Sequence, residues 1–184
     1  MNKTNFKICV SLLMSICSLG AWAQKDHASW VDPFIGSGGH GHVFVGASVP
    51  FGAVQLGPNN VFKGWDWCSG YHYSDNVIVG FSHNHLSGTG CNDLGDVALM
   101  PYTGELRTRV ADKDNLKGAT SSTYKHENEK CAPGYYAVNL DNGVNVELTA
   151  TERVGFHHYT FNTKGERRVL IDLVNGIGNK TYES

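Results

Sequence analysis

Apolar and polar residues alternate along the second half of the chain, in the pattern that is typical of β-strands. Tyr136, Val138 and Leu140 share one face, and the turn sequence at 141–143 separates them from a second alternating run. The alternation predicts strands over 136–140, 144–150, 155–161 and 168–174. No long stretch shows the periodicity of a helix. The pattern therefore predicts an all-β fold, an antiparallel β-sandwich.

The first half of the chain predicts shorter strands and one long polar segment. Apolar runs indicate strands at 53–56, 77–81 and 97–100. Residues 107–130 are polar and carry charges of both signs, which predicts a solvated loop followed by an edge strand. The run at 171–176 has the pattern of a strand that enters a turn. We therefore expect a sandwich that is incomplete at its C-terminal end and has an unpaired strand edge.

The first residues resemble an export signal. Two lysines precede an apolar run at 8–19, and Ala21 and Ala23 form a small-residue cleavage pattern. The run is about 12 residues long, whereas a membrane-spanning helix needs roughly 20. We therefore predict a signal peptide at 1–23 and a domain at 24–184, exported to the periplasm or the extracellular space. No contact with the membrane is expected once the signal is removed.

Charge excludes one class of function. The chain has a formal net charge of −2, and removal of the predicted signal, with two lysines and no acid, lowers it to −4. The basic residues are neither abundant nor clustered, so the chain lacks the electrostatic footprint of a nucleic-acid-binding protein.

Three cysteines remain after the predicted signal is removed: Cys68, Cys91 and Cys131. In an oxidising compartment a disulfide between Cys68 and Cys91 is one interpretation of this set. Buried free thiols are the other, and the spacing alone does not choose between them.

The segment 64–96 is the richest in chemistry. It combines tryptophan, histidine, cysteine, aspartate and glycine, and it contains no Lys, Arg or Glu. Flat rings beside short polar groups are what a sugar-binding surface requires, because rings cover the apolar face of a pyranose and polar groups take its hydroxyls. A segment that served only the fold would carry more aliphatic residues.

Two tryptophans and three aspartates within 64–96 have competing interpretations. Trp65 and Trp67 would share a face of an extended segment, where they either stack on a sugar or belong to the core. Asp66 and Asp93 either accept sugar hydroxyls or cap turns, and capping is the favoured interpretation for Asp96.

Two His-x-His pairs offer a further choice. On strands, His40 with His42 and His83 with His85 would each point to one face, where they bind a metal, contact sugar hydroxyls or support the loops. A zinc site that includes the cysteines lacks fixed third and fourth ligands, so we assign no metal ligand. A serine-hydrolase site is excluded because the chain has no Gly-x-Ser-x-Gly sequence.

Several phrases in order carry a family resemblance. They are Asp32 to Gly36, Gly38 to His42, Val49 to Gly52, Trp65 to Asp75 and Gly80 to Asp96. The glycine-rich loop near residue 38 has no Lys-Ser/Thr pair after it, which excludes a P-loop. Together the phrases resemble the N-terminal domain of glycoside hydrolase family 92, which consists mostly of bacterial exo-acting α-mannosidases. Ser37 replaces an expected Thr, and Val45 replaces an expected Pro.

The resemblance implies a two-domain parent enzyme. In this family a β-sandwich packs against a helical (α/α)6-type domain, with the active site between them, and terminal α-mannose is removed from N-glycans or mannans with inversion and calcium. The catalytic carboxylates lie in the helical domain, so the resemblance assigns no catalytic residue to this chain, which alone is expected to be inactive. The calcium ligands are likewise expected outside it.

The expected partners are α-mannoside glycans and the helical domain of the parent. The residues predicted to contact sugar are Trp65, Asp66, Trp67, Cys68, His83, His85 and Asp93. An alternative function is that of a stand-alone carbohydrate-binding sandwich without catalysis.

Overall fold

A computed structural model describes residues 26–109, 111, 113–116, 120–173 and 176–177. The predicted signal peptide lies outside the described residues. The strands are β1 (Ala47–Ser48), β2 (Gln55–Asn60), β3 (Val77–Ser82), β4 (Ala98–Thr103), β5 (Ser122–Ala132), β6 (Tyr135–Leu140), β7 (Val144–Ala150), β8 (Gly155–Phe161) and β9 (Arg167–Asp172). Two short 3-10 turns, His27–Trp30 and Trp65–Trp67, complete the regular structure described; the first belongs to a separate compact unit that ends at Trp30.

The strands form two layers that share β5. In the first layer β3 lies between β2 on one side and β4 and the start of β5 on the other, and β9 extends this layer beyond β4. In the second layer β5, β6, β7 and β8 follow one another as an antiparallel meander. A register shift between Tyr124 and Glu129 lets β5 pass from one layer to the other. This arrangement confirms the predicted antiparallel all-β fold.

The core lies between the two layers. Alternate residues of β7, namely Val144, Val146 and Leu148, are buried on its inner face. Phe81 of β3 packs against Tyr136 of β6, with ring centroids 6.4 Å apart, although these strands are not paired with each other. The contact joins the layers through fully buried rings, as the alternation in the sequence indicated.

The strand after the polar segment is not an edge strand, so that prediction was wrong. β5 pairs with β3 through Ser122 and Thr123, and with β6 through Tyr124 and residues 129–132. Its charges suggested an edge because Lys125 and Glu127 are exposed, but these two residues lie in the register shift between the two paired stretches.

Glu129 is a buried carboxylate within β5, and it ties the two halves of the fold together. Its two oxygens accept hydrogen bonds from the hydroxyls of Tyr71, at 3.0 Å, and Tyr136, at 2.7 Å. His126 Nδ1 lies 2.9 Å from the same carboxylate. Burial and the neighbouring Glu129 charge raise the pKa of both tyrosine hydroxyls, which keeps them protonated as donors. Glu129 therefore links the segment that contains Tyr71 to the second layer.

Three strands are bonded on one side only among the described residues: β1 pairs with β2, β8 pairs with β7, and β9 pairs with β4. Val169 and Ile171 of β9 are exposed apolar side chains. These edges agree with the unpaired edge expected near the end of the chain, while the extent of the domain stays a prediction.

Replacement of Glu129 by alanine should destabilise the chain by about 2–4 kcal/mol, because it leaves two buried tyrosine hydroxyls without an acceptor. Urea unfolding of the Glu129→Ala variant measures this loss. Glu127→Ala, on the exposed face of the same strand, is the matched control and should change the unfolding free energy by less than about 0.5 kcal/mol. Equal effects of the two substitutions would contradict a stabilising role for Glu129.

Candidate functional site

Three irregular segments meet beside the first layer: the glycine-rich loop 36–42, the 3-10 turn at 65–67 and the loop 88–91. Gly41 packs against the backbone of Gly36 so closely that any side chain at position 41 would overlap it. The amide of Gly88 donates to the His42 carbonyl at 2.8 Å, which joins the first loop to the third. Glycine thus permits the backbones of separate segments to approach one another.

Four side chains form a contiguous group where these segments meet, and we name it the His-Trp cluster: His40, His42, Trp65 and Asp66. One oxygen of Asp66 lies 2.6 Å from His40 Nδ1 and 3.5 Å from His42 Nε2. The hydrogen bond from His40 is the main reason why the pKa of Asp66 lies below its ordinary value. Asp66 is therefore a carboxylate at neutral pH.

His42 is the most unusual member of the cluster. Its side chain is buried, with 7% of the residue exposed, yet Nε2 has no hydrogen-bond partner. The distance of 3.5 Å to Asp66 is too long for a well-formed hydrogen bond. Its backbone has a φ of +54°, a conformation that non-glycine residues adopt at a cost. A buried polar atom without a hydrogen-bond partner is rare in folded proteins, so Nε2 of His42 is a candidate contact atom.

Trp65 presents an indole face beside His42. The residue is 57% exposed, and its Nε1–H donates to the Gly90 carbonyl at 2.9 Å. The His42 ring packs edge-on against it, with centroids 4.1 Å apart. A side chain at position 90 would lie 2.6 Å from Trp65 Nε1, so glycine is required there. Two contacts therefore fix the orientation of an exposed ring.

Trp67 does not share a face with Trp65, so that prediction was wrong. The segment is a 3-10 turn, and residues two apart on such a turn point in different directions. Trp67 Nε1–H donates to buried Asp75 at 3.0 Å, and its ring stacks on His72 with centroids 4.5 Å apart. Its surroundings are those of a structural residue.

Cys68 is fully buried, and its thiol donates to the Thr89 carbonyl at 3.1 Å. Burial raises the pKa of this thiol. Cys91 is exposed, Cys131 is half-buried, and all three cysteines carry free thiols. Cys68 thus matches the buried free thiol of the second interpretation, Cys91 and Cys131 do not, and the disulfide in an oxidising compartment stays a prediction.

His85 lies inside the protein, with 3% of the residue exposed. Its Nδ1 lies 2.8 Å from the Gln55 carbonyl oxygen, and Nε2 lies 2.6 Å from Asn59 Oδ1 and 3.1 Å from the Ser82 hydroxyl oxygen. Its ring stacks on Phe44 with centroids 4.9 Å apart. Both ring nitrogens therefore have partners within this chain.

The His-x-His pairs do not behave as the sequence suggested, because neither pair lies within a strand. His40 and His42 still converge, both on Asp66. His83 and His85 diverge: His83 contacts the Val97 carbonyl and His157, and shares no partner with His85. The strand β3 ends at Ser82, so the alternation that would align His83 with His85 has already stopped.

Asp93 and Asp96 occupy turns. Asp93 is exposed and accepts from the amide of Leu94 at 2.9 Å. Asp96 accepts from the Asn84 side chain at 3.0 Å, and its own amide donates back to Asn84 at 2.7 Å. These contacts agree with turn capping, and the sugar contact predicted for Asp93 stays a prediction.

The sequence analysis left two residues unnoticed, His157 and Tyr159. They are on the inner face of β8 opposite Leu148 and Val146, next to His83. The alternation of β8 was the available signal, since it places 157 and 159 on the face that meets the core. What they contact depends on a segment 74 residues away, which the local pattern cannot show.

Metal and membrane features are absent from the part of the chain that the structure describes. It contains no group of three or more His, Cys, Asp or Glu placed to hold a metal ion. Across the same residues, no helix is both long and apolar enough to cross a membrane.

Comparison with known proteins shows a consistent set of relatives. The sequence model of the glycosyl hydrolase family 92 N-terminal domain matches residues 30–184. An uncharacterised secreted glycosidase of Arthroderma benhamiae is 28% identical over 159 residues, which cover 83% of this chain and 20% of that protein.

Two solved structures from Bacteroides thetaiotaomicron share the fold. A family GH92 α-mannosidase, in complex with mannoimidazole, is 38% identical with a TM-score of 0.75, and the match covers 79% of this chain and 19% of that one. A family GH92 inverting mannosidase is 27% identical with a TM-score of 0.66, over 81% of this chain and 20% of that one. The chain thus spans about a fifth of the length of these relatives.

Burial should make the stability of the chain depend on pH through His85. Desolvation lowers the pKa of His85 to about 4 in the folded chain, against about 6.5 when unfolded. The unfolded state therefore binds more protons, and this contribution to stability is present above pH 6.5 and is lost as pH falls toward 4. Between pH 7 and pH 5 the loss from His85 alone should be about 2 kcal/mol in urea unfolding. Nitrogen NMR of the His85 ring should show a neutral imidazole at pH 5, and a ring half-protonated near pH 6.5 would contradict the prediction.

Proposed function

The chain belongs to glycosyl hydrolase family 92, whose N-terminal domain it represents, and we propose that it forms the carbohydrate-binding part of an exported exo-α-mannosidase. The parent enzyme would remove terminal α-mannose from glycoprotein N-glycans or mannans, with inversion. Two relatives are named as mannosidases, one of them inverting, and a third is named as a secreted glycosidase. Because the chain spans about a fifth of their length, this activity is proposed for the whole protein and not for these residues alone.

One observation carries the proposal: the unpartnered Nε2 of buried His42 lies beside a fixed, exposed indole. A hexose offers hydroxyls that donate and accept, and an apolar ring face that stacks on tryptophan. In the His-Trp cluster, Nε2 of His42 and the carboxylate of Asp66 would take neighbouring hydroxyls, while Trp65 covers the ring. The groups are already oriented before a sugar arrives, which reduces the ordering cost of binding.

The other predicted contacts are proposed as support around this cluster. Trp67 is held by Asp75, Cys68 holds the loop at Thr89, and His85 fills the interior below. Sugar contacts of these three residues, and of His83 and Asp93, stay predictions. Their present partners show how each could act indirectly, by keeping the loops in place.

No described residue is proposed as the catalytic acid or base. An inverting mechanism needs two carboxyl groups about 6.5–9.5 Å apart across the scissile bond. Asp66 is engaged by His40, while Asp93 and Asp96 cap turns. The proposal therefore leaves acid–base chemistry to the helical domain that the resemblance implies.

Calcium belongs to the proposal only as a property of the parent enzyme. Calcium prefers six to eight oxygen ligands, often carboxylates. The described residues contain no group of three or more His, Cys, Asp or Glu placed to hold a metal ion, and the location of the calcium ligands outside this chain stays a prediction. No step at the His-Trp cluster is routed through the ion.

The proposal predicts the behaviour of two variants of the full-length enzyme. Trp65→Ala removes the stacking face and should lower kcat/KM for an α-mannoside by about two- to tenfold, since stacking contributes about 0.5–1.5 kcal/mol beyond area burial. His42→Gln removes the imidazole and should also lower kcat/KM. Phe156→Ala, which removes an exposed ring of β8 instead, is the control and should leave kcat/KM unchanged. Unchanged kinetics in both cluster variants would remove the cluster from the binding site.

Calorimetry of the chain with an α-mannobiose separates the two proposed functions. A domain that supplies one side of a pocket should bind weakly, with a Kd in the millimolar range or above, because specificity needs partners on several sides of the sugar. Micromolar binding that Trp65→Ala abolishes would instead favour the stand-alone carbohydrate-binding module.

A further inference from the structure

His83 and His157 form a second cluster, which the His-Trp cluster does not include. His83 follows the end of β3, and His157 lies on the inner face of β8 opposite Leu148. Both are half-buried, and their Nε2 atoms lie 3.1 Å apart. We name these two residues the histidine pair.

The geometry of the histidine pair is not that of a straight hydrogen bond. The ring centroids lie 4.8 Å apart and the ring planes are inclined by 44°. In a straight N–H···N bond both rings point along the line between the nitrogens, which would place the centroids more than about 5 Å apart. The two Nε2 atoms are therefore in close contact, while the rings are tilted with respect to each other.

The far nitrogen of each ring is held by another group. His83 Nδ1 lies 3.0 Å from the Val97 carbonyl, which can only accept, so Nδ1 of His83 carries the proton. Its Nε2 then carries a lone pair, which is directed at His157. Nδ1 of His157 lies 2.6 Å from the Tyr159 hydroxyl. Val97 itself has a φ of +53°, a strained conformation for a β-branched residue, and this strain aims its carbonyl.

Such an arrangement is the one that metal-binding histidines use. One ring nitrogen faces the metal, and the other bonds to a carbonyl or another polar group that fixes the tautomer. Neutral imidazole is the form that binds metals.

We propose that the histidine pair binds a divalent transition-metal ion through the two Nε2 atoms. Zinc–imidazole bonds of about 2.0–2.1 Å at a near-right to tetrahedral angle place two nitrogens roughly 3.0–3.4 Å apart. The observed separation of 3.1 Å lies in that range. Imidazole suits zinc, copper and nickel, whereas calcium prefers oxygen, so this site differs in chemistry from the calcium expected in the parent.

Metal binding must displace the proton that lies between the two Nε2 atoms, and Nδ1 of His157 can accept it. In the metal-free chain the Tyr159 hydroxyl donates to Nδ1 of His157, and Nε2–H of His157 donates to Nε2 of His83. On binding, that proton moves to Nδ1 of His157, and the Tyr159 oxygen accepts from it. Two metal–nitrogen bonds replace one N–H···N hydrogen bond, and both rings stay neutral.

Water would complete the coordination, because the described residues offer no third His, Cys, Asp or Glu at this point. A two-histidine site binds more weakly than a structural zinc site with four protein ligands. Exchangeable metal is therefore expected, and the test must measure binding directly.

Titration of the metal-free full chain with Zn²⁺ or Ni²⁺ by calorimetry tests the proposal. We expect binding that His83→Gln and His157→Gln each weaken by at least about tenfold. The matched control is His158→Gln, the next residue of β8, whose exposed ring lies on the opposite face beside Glu147; it should change the affinity by less than about twofold. Ca²⁺ should show no competition.

Electron paramagnetic resonance of the unmodified chain with bound Cu²⁺ provides a second test, which does not depend on the folding of a variant. One equivalent of Cu²⁺ should show hyperfine coupling to two equivalent nitrogens. Coupling to fewer than two nitrogens, or calorimetric binding that both variants leave unchanged, would overturn the proposal. Neither readout depends on sugar binding, so failure here is distinct from failure of the proposed function.

Discussion

The need to satisfy buried polar groups governs the part of this chain that bears the candidate site. The segment 64–75 has little regular structure, so its backbone and side chains must bond to the strands around it. Gly70 and His72 bond to Asn60 at the end of β2, both at 2.7 Å. Tyr71, between them, donates to Glu129 in β5. These bonds attach the segment that bears Trp65 and Asp66 to the strands around it.

Hydrogen bonding distinguishes buried polar side chains that support the fold from a buried side chain that is a candidate for function. Asp75 accepts bonds from Lys63 and Trp67, and His85 has partners at both ring nitrogens. His42 is equally buried but lacks a partner at Nε2. Burial of an unpaired polar atom costs about 1–3 kcal/mol, so Nε2 of His42 is a candidate for a bond to another molecule. The position of His42 beside an exposed indole gives that molecule a chemical class.

The histidines of the His-Trp cluster and of the histidine pair have different partners, although both groups lie in one small domain. In the His-Trp cluster, a carboxylate draws two imidazoles together and leaves one nitrogen open. In the histidine pair no carboxylate is bonded to either ring; a carbonyl and a phenol hold the far nitrogens instead. A nearby carboxylate favours the recognition of hydroxyl groups, whereas two imidazole nitrogens that face each other favour a cation.

The sequence by itself determined the strands that alternate and the family to which the phrases belong, because alternation and short motifs are local properties. It therefore predicted β6, β7 and β8 closely, and it identified Trp65 and Asp66 as candidates. Only the tertiary structure decided which side chains meet: His40 and His42 with Asp66, His83 with His157, and Glu129 with two tyrosines. Those contacts join residues far apart in the chain. Their existence depends on sheet pairing and loop packing, which no local pattern records.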